Sequence, residues 1–375
     1  MNFGSCGVFH FAMAAVAALF VVGCEGHSEW APLASQQIYV SDKFYDIAPL
    51  SANRAIVVGY GGKMLVTKDA GISWQKVDIG SRQSIFSIDF VDDSTGWAVG
   101  QDGLILKTTD AGANWQRQQA EAYLDPDCRD PEKRAQRFED ERCDEAYLFA
   151  VAAIDSDNVM AIGDRSVLTR SRDGGKTWQT ETLKFVDPDM SPDWLLAFED
   201  PVLYDIEFLD SHNGYIVGEF GRIYHTSDGG GSWEQQQKSV MDASVFDVLD
   251  LPTLFDVEFV DHRRGIAVGL DGRIAVTDDG GKDWNFTPNN VEDYDDPFYA
   301  ATILPGGARW AVGASGQVVK AEAGKAFGRG SLGGAVYSWL RRIRFFDEKN
   351  GWVVGGFGLI MNTQDGGKTW YRRIG

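Results

Sequence analysis

LYDIEFLDSHNGYIVGEFGRIYHTSDGGGSW, residues 203–233, holds three short strands and the turn into a fourth. Tyr204, Ile206 and Phe208 alternate with Asp205 and Glu207, the period-two pattern of a half-buried strand running from Leu203 to Leu209. Tyr215 to Gly218 is an apolar run too short for a helix, and Glu219-Phe220-Gly221 turns the chain into a third strand, Arg222 to Thr226. A box of the form Ser/Thr-x-Asp-x-Gly-x-x-Trp then leads into a fourth strand expected to begin at Trp233.

The same phrase recurs six more times, starting near Tyr45, Ile85, Leu148, Leu254, Phe298 and Leu340. The boxes pair Asp69 with Trp74, Asp110 with Trp115, Asp173 with Trp178, Asp228 with Trp233, Asp279 with Trp284, and Asp365 with Trp370. In the sixth copy Glu322 and Phe327 stand for the Asp and Trp. A period of roughly 40 to 60 residues signals a solenoid, propeller or array. Four antiparallel strands per repeat make a blade, so the chain is read as all-β, a seven-bladed β-propeller over residues 41–375. The box aspartates are expected to accept hydrogen bonds within their own turns while the tryptophans bury their rings between sheets. Equivalent positions spread around a ring cannot converge on one substrate, so these residues are structural and not catalytic.

Composition narrows the function. A formal net charge of −20 argues against binding nucleic acid, which needs a basic surface. Residues 1–23 contain no Asp, Glu, Lys or Arg, and Val8 to Val22 is almost wholly apolar, as in an export signal. Val21-Val22-Gly23-Cys24 resembles the lipobox of bacterial lipoproteins, which would make Cys24 the lipidated first residue of an exported, periplasmic chain, with a signal cut elsewhere, a retained membrane anchor or a misassigned start as the alternatives. Glu25 in place of an aspartate favours the outer membrane over the inner. Residues 24–40 then form a linker whose Trp30 to Val40 stretch is expected to lie beside the last blade and help close the ring. Cys128 and Cys143 fall in one insertion, and an oxidising compartment makes them a candidate disulfide, with two free thiols as the alternative.

Strand polarity sorts the loops. The first-to-second-strand turns and the boxes share one face of the disc; the second-to-third turns and the crossovers between blades share the other. All large insertions are crossovers: residues 116–147, 179–202, 234–253 and 285–297. Function is therefore expected on the crossover face. Pro131 is placed to start a short helix capped by Asp130. The apolar cluster Trp194, Leu195, Leu196 and Phe198, flanked by acid, is a candidate partner-binding patch, with packing onto its own blade as the alternative. The acidic run Glu292 to Asp296 lacks EF-hand spacing, and no zinc motif, nucleophile elbow or phosphate loop is present; no metal and no cofactor are expected.

Blades such as GWAVGQDGLILKTTDAGANW, Gly96 to Trp115, and GWVVGGFGLIMNTQDGGKTW, Gly351 to Trp370, resemble the photosystem II assembly and stability factor family of BNR-repeat propellers. The resemblance implies a seven-bladed, non-catalytic chaperone that holds newly made membrane subunits. For relatives in non-photosynthetic bacteria it implies exported accessory proteins of envelope complexes, including resistance-nodulation-division type transporters. The expected partner is accordingly an envelope membrane protein or transporter complex, with the membrane reached through the lipid anchor. Two other readings stay open: a carbohydrate or small-ligand binder using the channel mouth, and a sialidase-like glycoside hydrolase, which lacks here its Arg-Ile-Pro element.

Overall fold

A computed structural model describes residues 36–120, 131–132, 145–183, 201–236, 252–292 and 294–374. Twenty-eight strands, β1 to β28 in chain order, form seven four-stranded antiparallel sheets, each from four consecutive strands. The inner strands are β1 (Phe44–Pro49), β5 (Ile85–Phe90), β9 (Leu148–Ala153), β13 (Leu203–Phe208), β17 (Leu254–Phe259), β21 (Phe298–Ile303) and β25 (Leu340–Phe345). Each packs on its neighbours, and β25 packs on β1, which closes the ring. The protein is a seven-bladed β-propeller.

In the fourth blade the strands are Leu203–Phe208, Gly214–Gly218, Ile223–Thr226 and Glu234–Gln235. The second strand thus starts a residue earlier than the sequence suggests, and the fourth a residue later. Trp233 belongs to the turn, because its ring packs edge-on against Phe208 of the inner strand, leaving the ladder to resume at Glu234.

One backbone irregularity repeats in every blade. The pairing of the inner strand with the next shifts register around its second residue, as between Leu203 and Asp205 or Leu254 and Asp256. The extra residue is a β-bulge, which re-aims a side chain. It presses the chain before the inner strand against the glycine that ends the second strand. A Cβ on Gly163 would lie 1.7 Å from the Tyr147 carbonyl oxygen, and one on Gly59 2.0 Å from that of Lys43. This close approach is the physical reason for the terminal glycine of each Val-Gly or Ile-Gly pair.

The boxes close their turns through two side chains. In the first, Thr67 Oγ1 donates to Asp69 Oδ1 (2.9 Å) and accepts from the Gly71 N–H (2.8 Å). Asp69 also accepts from the Ser73 N–H (2.9 Å) and hydroxyl (2.6 Å). The Ser73 bonds lead the effects that hold the Asp69 carboxyl below its usual range, and the equivalent hydroxyl and amide bonds bring Asp173, Asp228 and Asp365 to about 2. Trp74, Trp115, Trp178, Trp284 and Trp370 are buried, whereas Trp233 is half-buried.

The sixth turn corrects the sequence reading. Ala321 pairs with Arg309 as Thr363 pairs with Gly351 in the last blade, so Ala321 and Ala323 occupy the Thr and Asp positions. Glu322 instead pairs with Lys320 at 2.7 Å. With both polar side chains gone the turn is a residue shorter, closed by the Lys325 N–H on the Glu322 carbonyl (2.9 Å). Phe327 does take the buried aromatic place, at 2% exposed.

Within the described part of the 24–40 linker, Ile38 is buried among Trp352, Val354 and Ile360 of the seventh blade and Phe44 and Trp74 of the first. Trp30 to Ser35 lie outside the described residues.

Replacing Gly163 by Ala should overfill the bulge contact and destabilise the disc by about 1–3 kcal/mol. The expected readout is a lower urea midpoint with an unchanged slope.

Candidate functional site

Aligning the inner strands by their bulges turns the channel into layers. The second residue of each strand gives Tyr45, Phe86, Phe149, Tyr204, Phe255, Tyr299 and Arg341. Each strand starts at the crossover face, so this layer rims the channel there. Neighbouring rings lie close: 5.4 Å for Tyr45 and Phe86, 5.4 Å for Phe86 and Phe149, 5.8 Å for Phe149 and Tyr204. The series continues at 5.0 Å for Tyr204 and Phe255 and 5.6 Å for Phe255 and Tyr299. Trp339 stacks on Tyr45 at 6.0 Å, and Arg341 donates to the Tyr299 carbonyl at 3.1 Å. The result is a girdle of half-buried aromatics with a single cation in the ring.

Beneath the girdle the third and fifth residues are polar in most blades. They solve a problem of the architecture: an inner strand is a sheet edge whose outward N–H groups lack a strand partner. Asp46 accepts from the Ile88 N–H of the next blade (3.0 Å), Asp205 from Val257 (3.1 Å) and Asp256 from Ala301 (2.7 Å). One layer down, Asp89 accepts from Ala153 (2.8 Å), Glu207 from Phe259 (2.7 Å) and Glu258 from Ile303 (3.1 Å).

The seventh blade places Arg342 and Arg344 in these two layers. Arg342, 5% exposed, reaches Asp46 (3.2 Å), Asp205 (3.4 Å) and Asp256, while Arg344 reaches Asp46 (3.6 Å). Burial opposes the charge of Arg342, but Asp256, Asp46 and Asp205 outweigh it and keep the guanidinium protonated. Burial likewise works to raise Asp46, yet Arg344, Arg342 and the Ile88 and Ile47 amides hold its carboxyl below the usual range. Glu207 has no such cation: burial, then Glu258 and Asp205, pushes it well above the usual range, and burial also raises Glu258. A cavity of about 380 Å³, bordered by Asp89, Glu207, Glu258, Arg342, Arg344 and Phe346, opens at the box-face end of the channel.

These groups bind the blades to one another. The chain's own aspartates occupy Arg342 and Arg344, and backbone amides occupy the carboxylates. Among the described residues no group of three His, Cys, Asp or Glu is arranged to hold a metal ion.

The six box pairs, Asp69 and Trp74 through Asp365 and Trp370, sit in turns on the other face, remote from the girdle by strand polarity. Trp194, Leu195, Leu196 and Phe198, as well as Cys24, Cys128 and Cys143, lie outside the described residues. Asp130 does too, though Pro131 and Glu132 are helical. The sequence reading passed over the girdle, although its signal was present: the second inner-strand position is aromatic in every blade but the last.

The family model described as "Photosynthesis system II assembly factor YCF48" matches residues 25–133 and 194–252. Over these residues the chain is similar to photosystem II assembly factors of the BNR-propeller type. Photosystem II assembly protein Ycf48 of Synechococcus sp. (strain JA-3-3Ab) is 23% identical over 261 residues, 56% of this chain and 69% of that protein. A homologue from Synechococcus sp. (strain JA-2-3B'a(2-13)) is also 23% identical, over 252 residues, with the same shares covered. A structure of YCF48 bound to D1 peptide superposes with a TM-score of 0.63 at 18% identity, covering 87% of this chain and 95% of that chain. YCF48 from Cyanidioschyzon merolae gives 0.63 at 16% identity, covering 87% and 96%. At these identities the superpositions show a shared fold.

Glu207 supplies a test of the channel. Its folded pKa lies above its unfolded one, so folding takes up a proton; the folded state is favoured below the unfolded pKa and loses that advantage as pH rises through the folded pKa. Glu207→Gln keeps an acceptor for Phe259 and removes the charge. The variant should melt several degrees higher than the parent near pH 8, with the gain vanishing below about pH 4.

Proposed function

We propose that this propeller is an exported, lipid-anchored, non-catalytic assembly factor that holds a segment of an envelope membrane protein at the crossover-face mouth of its channel. The girdle carries this reading. Six contiguous half-buried aromatics around a concave opening form a rigid apolar receptor, and aromatic anchors dominate protein recognition. The polar atoms below it are already committed between blades, which leaves the rim as the part of the channel with unsatisfied apolar surface. The likeness to assembly factors, and to a YCF48 solved bound to D1 peptide, supports interaction over catalysis.

The partner class follows from the sequence. The export-signal pattern ending in Val21-Val22-Gly23-Cys24 supports a periplasmic, lipid-anchored location, and Glu25 favours the outer membrane, which suits a partner among membrane complexes such as resistance-nodulation-division type transporters. The net charge of −20 favours a partner with basic flanks around its apolar segment.

Capture of the tagged chain from detergent-solubilised membranes should bring down a stoichiometric membrane protein. Phe149→Ser combined with Phe255→Ser should lower that recovery by about tenfold, as expected for losing two aromatic anchors, while the melting midpoint stays close to the parent's. Recovery of the propeller alone, or equal recovery by the double variant, would remove the girdle as the receptor. Separately, Cys24→Ser should abolish the mass of a lipid anchor and release the chain into the soluble fraction; an unchanged mass would refute lipidation at this site.

A further inference from the structure

A second surface lies on the crossover face over the seventh and first blades. Tyr39, Val40, Tyr60, Tyr337 and Phe357 are each 45% to 89% exposed. They are contiguous. Phe357 precedes Gly358, whose Cα packs so tightly on the linker that a Cβ there would lie 2.4 Å from the Tyr39 carbonyl oxygen. Tyr337 and Phe357 border one groove of about 410 Å³, and Trp339 packs on Gly356 beside them. Across the blade boundary Lys43 Nζ stands 5.2 Å from the Tyr60 ring centroid, and Lys63 Nζ 5.1 Å from that of Tyr39. Among the described residues the other large exposed apolar side chains, Ile72, Phe346, Tyr371 and Ile374, sit singly in a box turn, an inner-strand turn and the last strand and tail.

The sector also departs from the rest of the molecule in charge. In residues 36–43, 60–63, 78–84, 335–341 and 356–358 the exposed charges are Lys43 and Arg82 against Asp78, while Lys63 pairs with Asp42 at 3.0 Å and Arg341 belongs to the girdle. That leaves a local balance of +1 at this surface in a chain of −20. Exposed tyrosines with lysines at their edges are what a membrane–water interface selects: the ring sits at headgroup depth, its hydroxyl stays wet, and the cation meets lipid phosphate.

The described chain enters the disc at this sector, since Gln36 to Lys43 form part of it. Cys24 lies twelve residues before Gln36 in the sequence, a stretch that spans at most about 43 Å when fully extended. An anchor there keeps this edge of the disc within reach of the bilayer. From the exposed aromatics, the reversed charge and the short tether we infer that the sector formed by Tyr39, Tyr60, Tyr337 and Phe357 docks on an anionic lipid surface and turns the crossover face towards the membrane. The inference rests on the lipid-anchored reading above. It also places the girdle where a membrane protein's emerging segment would meet it.

The test is backbone hydrogen exchange of the full chain anchored in vesicles of phosphatidylethanolamine and phosphatidylglycerol, compared with the same chain in detergent. Exchange at residues 36–43, 335–341 and 356–358 should slow by about fivefold on vesicles, and Tyr337→Ser with Phe357→Ser should remove the slowing. A chain that anchors to vesicles without this footprint overturns the inference and leaves the lipid anchor standing; a chain that fails to anchor overturns both. A footprint that appears only when a captured membrane protein is added overturns the lipid assignment and makes the sector a protein contact.

Discussion

An inner propeller strand is a sheet edge, and the rest of this structure depends on how its unpaired N–H groups are satisfied. Carboxylates at the third and fifth positions of one blade accept amides from the next, as Asp46 does from Ile88 and Glu207 from Phe259. Gathering acids around one axis creates repulsion, and Arg342 relieves it by meeting Asp46, Asp205 and Asp256 together. Because Arg342 takes the place of an acceptor, the Ile47 N–H is satisfied by the Asp46 side chain instead, at 2.8 Å. Closure of the ring and neutralisation of its centre are thus one device, supplied by the last blade.

The bulge connects this device to the candidate site. A regular inner strand would send its second side chain between blades. The register shift at that residue sends it to the channel mouth, and the glycine ending the second strand makes room for the displaced backbone. The motif glycine and the aromatic girdle are therefore two consequences of a single distortion, repeated seven times.

The two faces divide the work between stability and contact. Box turns are held by hydroxyl–carboxylate pairs and are alike from blade to blade, save the sixth, where the shortened turn keeps only its aromatic. The crossover face carries the girdle and the exposed tyrosine sector. A rigid disc with an apolar rim is in line with the proposed holding role and with the likeness to assembly factors.

Blade number, strand order and the identity of the two faces were legible in the sequence, because period-two alternation, turn glycines and the box are local signals. The sixth turn was misaligned because a local motif can lose a residue without changing the strands around it; only the pairing of Ala321 with Arg309 reveals the deletion. The girdle was written in the second inner-strand position, yet nothing local marks that position as a bulge. Arg342 could not be assigned at all: its partners lie 86, 137 and 296 residues away. The sequence by itself determined the blades, since their strands pair with chain neighbours. What stands at the axis, and which side chains rim it, was decided only when seven separate stretches closed into a ring, because those contacts exist only between blades.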